Sequence, residues 1–258
     1  MILDERVYIL EHALFEVNEE SENTKTVISN NWLQMITPGG VHSSTNAVFR
    51  SIVQESEIDQ QISEVTNLYR SLGVPFRWLV TPLTEPKSTE AKLLEKGFTL
   101  LYEAEAMIIS VDKVLQPLAD NLEVREVKLK DAKLYIDTFA KSWGVSPEQK
   151  QETKKLVETA LDKNHNFHAF VAFRNGEPVG NSLLIECTTG AYLAAAAVLG
   201  SHRGQGIYKA MLSARAEVAK KLGHTNLMIH ARKETSAPVC RKLGFEWVYD
   251  YKVFEMHQ

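Results

Sequence analysis

The most constraining feature of this sequence is a pattern of segments that occurs twice in the same order. Each half contains a helix-like stretch ending in Leu-Gly, a strand-like run, a short helix-like stretch ending in Gly-Phe, and a closing strand-like run. Glycine commonly follows the last residue of a helix because it accepts left-handed backbone angles. The four glycines in these places are Gly73, Gly97, Gly223 and Gly244. The repeat predicts two related α/β domains, at residues 1–116 and 119–258.

The segment at residues 112–121 is the predicted linker between these domains. It contains Pro117 and lies between two strand-like runs, as connecting segments do. A chain of 258 residues also fits two modest domains better than one, because single cores stop growing at roughly 250 residues. A surface loop within one large domain is the alternative interpretation.

Composition excludes several classes of protein. The chain is 44% hydrophobic and 24% charged, which is typical of a soluble globular protein with an ordinary core. Its net charge of -4 predicts neither nucleic acid nor an anionic membrane as a partner. There is no apolar run of about 18 residues, no signal-peptide pattern in the first ten residues, and no Cys-x-x-Cys pair. We therefore expect a cytoplasmic protein, and no residues are assigned to a metal.

The second half of the sequence has the clearer order of elements. The hairpin signal Asn175-Gly176 joins two strand-like runs, and the small-residue run "GAYLAAAAVL" predicts a third strand. A helix is then predicted from about Gly206 to Leu222. An earlier strand is predicted near 122–128, with helices at 130–141 and 147–162. The apolar stripe of the long helix is expected at Ile207, Met211, Ala214, Val218 and Leu222.

The run "HRGQGIYKA", residues 202–210, lies between the small-residue strand and this helix. Gly204 and Gly206 leave no side chain between the main chain and a ligand, and the first turn of a helix offers N–H groups to an anion. Arg203 adds positive charge. The pattern indicates a phosphate site, and an ordinary turn that needs two glycines is the alternative. A Walker loop is excluded because no Gly-Lys-Ser or Gly-Lys-Thr follows, and Tyr208 excludes the dinucleotide fingerprint.

The second half resembles the GCN5-related N-acetyltransferases, or GNAT family. The resemblance is carried by the order of elements, by the "V-x-x-x-x-R-G-Q-G-I" run from Val198 to Ile207, and by the later "RKLGF", and it covers residues 121–258. The first half looks like the degenerate copy of tandem members. The resemblance implies two α+β domains, each with a mostly antiparallel central sheet flanked by helices.

The resemblance also implies acetyl-coenzyme A (acetyl-CoA) as co-substrate. Its pantetheine arm would lie between the strand ending at Val198 and the strand "TNLMIHA", and a main-chain N–H near Val198 would polarise the thioester carbonyl. The implied phosphate-binding residues are Arg203, Gly204, Gln205, Gly206, Ile207 and Tyr208.

The catalytic groups are less well defined. Many relatives carry a tyrosine as general acid at the position of Cys240, so a thiol is the candidate here, although such a cysteine is often a small apolar residue. Glu186 is the candidate base, acting through a water, and a solvated strand-end glutamate is the alternative. His230 and Tyr208 are further candidates, with ordinary packing roles as their alternatives.

The first half offers no counterpart of the phosphate loop. The matching turn reads "QESE", which has no glycine and whose acids would repel phosphate. One coenzyme site per chain is therefore expected. The first domain is expected to shape the acceptor site, where His42 either faces a cleft or lies in a solvated turn.

These observations predict an N-acetyltransferase that moves an acetyl group from acetyl-CoA to an amine of a small molecule or peptide by direct attack. Two alternatives stay open. One is a transferase of the same fold that moves an aminoacyl or other acyl group. The other is an acyl-CoA-binding sensor or scaffold without enzymatic activity.

Overall fold

The computed structural model falls into two compact units. The first unit comprises residues 1–107 and 230–258, and the second comprises residues 108–229. These units are defined by contacts, whereas the predicted domains 1–116 and 119–258 are defined by a repeated sequence order, so the domain boundaries stay a prediction. The residues that the structure describes are 4–17, 23–40, 43–115, 117, 119–163 and 166–256.

Each half of the described chain ends in the order that the sequence repeat predicts, which is helix, strand, short helix and strand. The strands are β1 Lys25–Ile28, β2 Trp32–Ile36, β3 Ala47–Ser51, β4 Phe76–Val80, β5 Thr99–Ser110, β6 Leu122–Val127, β7 Phe167–Arg174, β8 Glu177–Cys187, β9 Gly190–Val198, β10 Asn226–Arg232 and β11 Glu246–Met256. The helices are α1 Glu5–Glu16, α2 Ile58–Leu72, α3 Thr89–Glu95, α4 Val111–Val114, α5 Ala132–Trp143, α6 Pro147–Lys163, α7 Ile207–Lys221 and α8 Ser236–Lys242.

The sheet of the first unit runs β1-β2-β3-β4-β11-β5. Strand β11, the last of the chain, pairs antiparallel with β4, with Met256 opposite Phe76. The sequence repeat groups β11 with the second half, but the structure inserts it between two strands of the first half. Pairing between strands depends on distant parts of the chain, so the local sequence pattern does not reveal this exchange.

The core of the first unit packs between this sheet and α2. Trp78 and Tyr69 are fully buried, and Phe76 stacks on Tyr69 at 4.5 Å between ring centroids. Phe98 meets Phe76 edge to face at 5.3 Å, which is a favourable aromatic arrangement. Phe98 is the residue after the Gly97 helix end, so the repeated Gly-Phe motif directs an aromatic ring into the core.

The sheet of the second unit runs β10-β9-β8-β7-β6. All its pairs are antiparallel except β9 with β10, which are parallel and pair only at Ala191 with Leu227 and at Tyr192 with Met228. In the sheet of the first unit, β1–β2, β2–β3 and β4–β11 are antiparallel and β3–β4 is parallel. The sheets of both units are therefore mostly antiparallel, and the predicted α/β fold is confirmed. Asn175 and Gly176 form the predicted hairpin turn, with φ values of 50° and 81°.

Helix α7 packs its buried face on β8. A Cβ at Gly180 would stand 3.0 Å from the Ala197 carbonyl oxygen and 3.3 Å from Met211 Sδ, so a side chain here would crowd both β9 and α7. The predicted apolar stripe is correct at Ile207 and Met211 but wrong at Leu222, which is exposed. The buried face instead continues through Leu212, Arg215, Ala216 and Ala219, because α7 presents a broad surface to the sheet rather than a narrow seam.

In the parts of the chain that the structure describes, no helix has both the length and the apolar character needed to cross a membrane.

Candidate functional site

The glycine loop, residues 203–206, connects the end of β9 to the start of α7. Gly204 and Gly206 have φ values of 75° and 80°, in the left-handed region that residues with a side chain rarely adopt. Apart from the glycine and its two chain neighbours, no residue comes within 4 Å of the place where a Cβ would stand on Gly204 or Gly206. The loop therefore turns its bare main chain toward open space.

Gly206 is also the N-cap of α7, immediately before the first helical residue, Ile207. The first hydrogen bond of the helix runs from the Ala210 N–H to the Gly206 carbonyl at 3.0 Å. The N–H groups of the first turn of α7 point along the helix axis and have no acceptor within the helix. They combine with the helix dipole to favour an anion at this end.

Basic side chains surround the loop. Arg203 is exposed, and its Nε donates to the Val198 carbonyl at 3.4 Å. Arg174, at the end of β7, donates to Gln205 Oε1, and Lys209 is exposed on the first turn of α7. The sequence does not indicate Arg174 as a site residue, because the hairpin of β7 and β8 brings it to the loop from a distant part of the chain. The charge around the loop fits a phosphate better than a neutral ligand.

Tyr208 lies half-buried on α7. It packs with the buried cluster of Ile207, Met211 and Val179, which fixes the start of the helix against the sheet. This packing explains a bulky residue at the place where other phosphate loops carry a small one.

The end of β9 is lined with small, half-buried residues. Ala194 through Val198 are neither fully buried nor exposed, so the alanines leave an accessible strand rather than only packing beneath a helix. Beyond Tyr192, no described residue of β9 is paired with β10. The main-chain groups on that side of β9 are therefore not used in a strand ladder.

A β-bulge interrupts β9 in this segment. Ala197 is opposite Asn181 and Ala194 is opposite Leu183, so Ala195 and Ala196 together oppose one residue of β8. Ala195 has a φ of 45°, a left-handed conformation that costs a residue with a side chain about 1–3 kcal/mol. Such strain persists only where neighbouring groups hold it in place.

Glu186 is not brought to the glycine loop. Val198 is paired with Gly180, and Glu186 lies six residues further along β8, about 20 Å away at roughly 3.3 Å per residue. Its carboxylate is 2.8 Å from His224 Nε2 and 3.5 Å from His168 Nε2. The geometry favours a structural role for Glu186 in linking β7, β8 and the segment after α7.

Cys240 lies on α8 in the first unit and is fully buried. A buried thiol in a packed helix behaves as a small apolar residue. The burial favours this packing role over proton transfer.

We expect Cys240→Ala to leave the turnover rate and its pH profile unchanged, and to lower the free energy of unfolding by about 1 kcal/mol. Initial rates between pH 6 and 10, together with thermal unfolding, test this. Cys187→Ala, at the other buried cysteine, is the matched control. A rate loss specific to Cys240→Ala would restore the thiol as a candidate acid.

His230 lies half-buried between two tyrosines of β11. Its Nε2 is 3.1 Å from the Tyr249 hydroxyl, and its ring meets Tyr251 edge to face at 5.1 Å. Burial lowers the pKa of His230 to about 3, so the imidazole is neutral near pH 7. A neutral imidazole with so low a pKa is a weak base, and the aromatic contacts explain its place. The other candidate histidine, His42, lies outside the described residues.

The first unit places an acid where the second unit has the glycine loop. Glu57 precedes α2, and its Oε2 accepts from the Gln54 N–H at 3.2 Å. Strands β3 and β4 pair in parallel only at Ala47–Arg77 and Val48–Trp78, as β9 and β10 pair only twice. Here the chain fills the gap itself, because the Glu85 N–H donates to the Ser51 carbonyl at 2.9 Å and the Val53 N–H donates to the Glu85 carbonyl at 3.1 Å.

Among the described residues, no group of three or more His, Cys, Asp or Glu side chains is arranged to hold a metal ion.

Comparison with known proteins identifies the class to which this fold belongs. Residues 132–245 match the model of the Acetyltransferase (GNAT) family. A GCN5-related N-acetyltransferase from Kribbella flavida is 12% identical, with a TM-score of 0.74 over 97% of this chain and 96% of that one. A conserved protein of unknown function from Staphylococcus epidermidis is 13% identical, with a TM-score of 0.73 over 91% and 94%. No curated protein sequence matches the chain.

A tandem GNAT protein from the clavulanic acid biosynthesis pathway has a similar fold along its whole length. It is 12% identical, with a TM-score of 0.65 over 97% of this chain and 93% of that one. At such low identities these structures establish the fold only. Residues 132–245 form a GNAT acetyltransferase domain, so the family predicted from the loop motif is confirmed. The family supports acyl transfer as the class of activity.

Proposed function

We propose that this protein is an N-acetyltransferase that moves the acetyl group of acetyl-CoA to an amine of a small molecule or peptide. The observation that carries the proposal is the glycine loop. Its two left-handed glycines leave the N-terminus of α7 accessible to a ligand. The loop follows β9, which is not paired with β10 beyond Tyr192. A helix N-terminus with a bare main chain suits a pyrophosphate.

The residues of the second unit fit this co-substrate. A side chain at Gly204 or Gly206 would occupy the open space in front of the helix, where the pyrophosphate would lie. Arg203, Arg174 and Lys209 would balance its charge. Acetyl-CoA supplies the acetyl group as a thioester, whose carbonyl carbon an amine can attack. The β9 main chain near Val198 would bind the pantetheine amides and donate an N–H to the thioester carbonyl.

The experiment that tests the proposal follows the release of free thiol from acetyl-CoA in the presence of a library of amines. Sustained, amine-dependent release supports an enzyme, and mass spectra of the products identify the acceptor. Propionyl-, longer acyl- and aminoacyl donors run in parallel distinguish acetyl transfer from the transfer of another group. Absence of acetyl-CoA binding would overturn the proposal.

A second candidate is an acyl-CoA-binding sensor without turnover. The observation that favours it is the state of the three candidate groups: Glu186 is paired, Cys240 is buried, and His230 has a very low pKa. Tight binding of acetyl-CoA with no thiol release on any amine would support this function over the enzyme.

We expect one acetyl-CoA per chain, bound by the second unit. The first unit closes the equivalent strand gap with its own main chain at Glu85 and places Glu57 at the start of α2, so a phosphate would meet a carboxylate there. Isothermal titration of the whole chain measures the stoichiometry. A value of two, with one site surviving Gly206→Asp, would contradict this expectation.

A further inference from the structure

A buried amide holds the strained bulge of β9. Asn181, on β8, is completely buried. Its Nδ2 donates to the Ala195 carbonyl at 2.9 Å, and its Oδ1 accepts from the Ser142 hydroxyl of α5 at 2.5 Å. Both ends of the amide are therefore engaged, one by a helix and one by the bulge.

These two hydrogen bonds fix the direction of one peptide group. In a planar trans peptide the carbonyl and the following N–H point in opposite directions. Holding the Ala195 carbonyl on Asn181 therefore also sets the direction of the Ala196 N–H. Without the amide, the unfavourable φ of Ala195 would favour relaxation of the bulge toward a regular strand.

We propose that Asn181, held by Ser142, is a positioning residue for the acyl-pantetheine arm. This inference rests on the proposed function. The bulge lies in the strand segment Ala194–Val198 that we assign to the arm, whereas the glycine loop that we assign to the pyrophosphate follows it in the chain. The side-chain hydrogen bonds of Asn181 go to Ala195 in the first segment and to Ser142, not to the glycine loop. Its loss should weaken recognition of the arm and leave recognition of the pyrophosphate intact.

The test compares two ligands on Asn181→Ala. ADP carries a pyrophosphate without a pantetheine arm, and acetyl-CoA carries both. We expect the dissociation constant of acetyl-CoA to rise about tenfold, as for the loss of one buried hydrogen bond, with that of ADP unchanged. Where turnover is measurable, the KM for acetyl-CoA should rise by a similar factor.

Two further variants protect this test against simple misfolding. Ser142→Ala removes only the outer hydrogen bond, and we expect a smaller change in the same direction. Ala195→Gly, added to Asn181→Ala, removes the cost of the left-handed φ, and we expect it to restore part of the lost affinity. A purely structural role for Asn181 would not produce this rescue.

The outcomes separate the two proposals. If the unaltered chain does not bind acetyl-CoA, the proposed function and this inference both fall. If it binds acetyl-CoA but Asn181→Ala weakens ADP and acetyl-CoA equally, or neither, only the positioning role is overturned. Thermal unfolding shows whether each variant folds. If Asn181→Ala does not fold, the affinities of Ser142→Ala for ADP and acetyl-CoA test the positioning role in its place.

Discussion

Gly206→Asp should weaken the binding of acetyl-CoA about a hundredfold or more. The new carboxylate would stand in the open space before the first turn of α7, where we place the pyrophosphate. Two like charges about 4 Å apart near a protein surface repel by about 4 kcal/mol, and each 1.4 kcal/mol is a factor of ten in affinity. Isothermal titration with acetyl-CoA and with ADP measures the effect, and both ligands should lose affinity.

Two control variants separate charge from backbone strain. Gly206→Asn introduces a neutral side chain of the same shape, and asparagine tolerates left-handed angles better than most residues. It should lose clearly less affinity than the aspartate. Gly223→Asp makes the same change at the other end of α7, where φ is 91° and the space is equally open, and should leave binding unchanged. Unaltered binding by Gly206→Asp would remove the phosphate assignment.

The sequence predicts those parts of the site whose structure depends on residues adjacent in the chain. The small-residue strand, the two glycines and the helix after them are adjacent in the chain, and their order predicts a strand, a loop and a helix N-terminus in succession. The same holds for the Asn175-Gly176 turn, whose φ values only a few residue types adopt easily. The family motif from Val198 to Ile207 is likewise a continuous run of residues, so it can be found without the structure.

The features that the sequence does not predict arise between distant segments. Arg174 reaches Gln205 because a hairpin brings it there, and Asn181 reaches Ala195 across a strand pair. Glu186 looks like a free base in the sequence, but it lies beside His224 once β8 and the end of α7 are packed. Asn181 carries no local signal, because its partner Ala195 is fourteen residues further along the chain and on another strand.

In the first unit, too, a contact between distant segments is not predicted from the sequence. It is a buried ion pair beside the gap between β3 and β4. Glu11 of α1 is fully buried; its Oε2 accepts from Arg50 Nε at 2.5 Å, at the end of β3. Its Oε1 accepts from the Thr81 hydroxyl at 2.7 Å, just beyond β4. Together with the Glu85 main chain, this pair links the ends of β3 and β4 beyond their last paired residues. These contacts support the expectation of one coenzyme site per chain.

Arg50→Met should lower the free energy of unfolding by about 3–5 kcal/mol, because it leaves the carboxylate of Glu11 buried without its cation. Burial already raises the pKa of Glu11, and loss of Arg50 raises it further. An acid with a raised pKa takes up its proton more readily in the folded state. The destabilisation should therefore be largest above that pKa and shrink as the pH falls through it.

Urea unfolding at pH 8 and pH 5, followed by tryptophan fluorescence, measures this effect, since Trp32 and Trp78 both lie in the core of the first unit. Glu11→Leu combined with Arg50→Met should recover most of the loss, because an apolar pair replaces the buried charges. Lys154→Met, which breaks an exposed pair with Glu158, should change stability little. A loss of equal size at both pH values, with no recovery in the double variant, would mean that Arg50 stabilises the unit through packing of its side chain rather than through its charge.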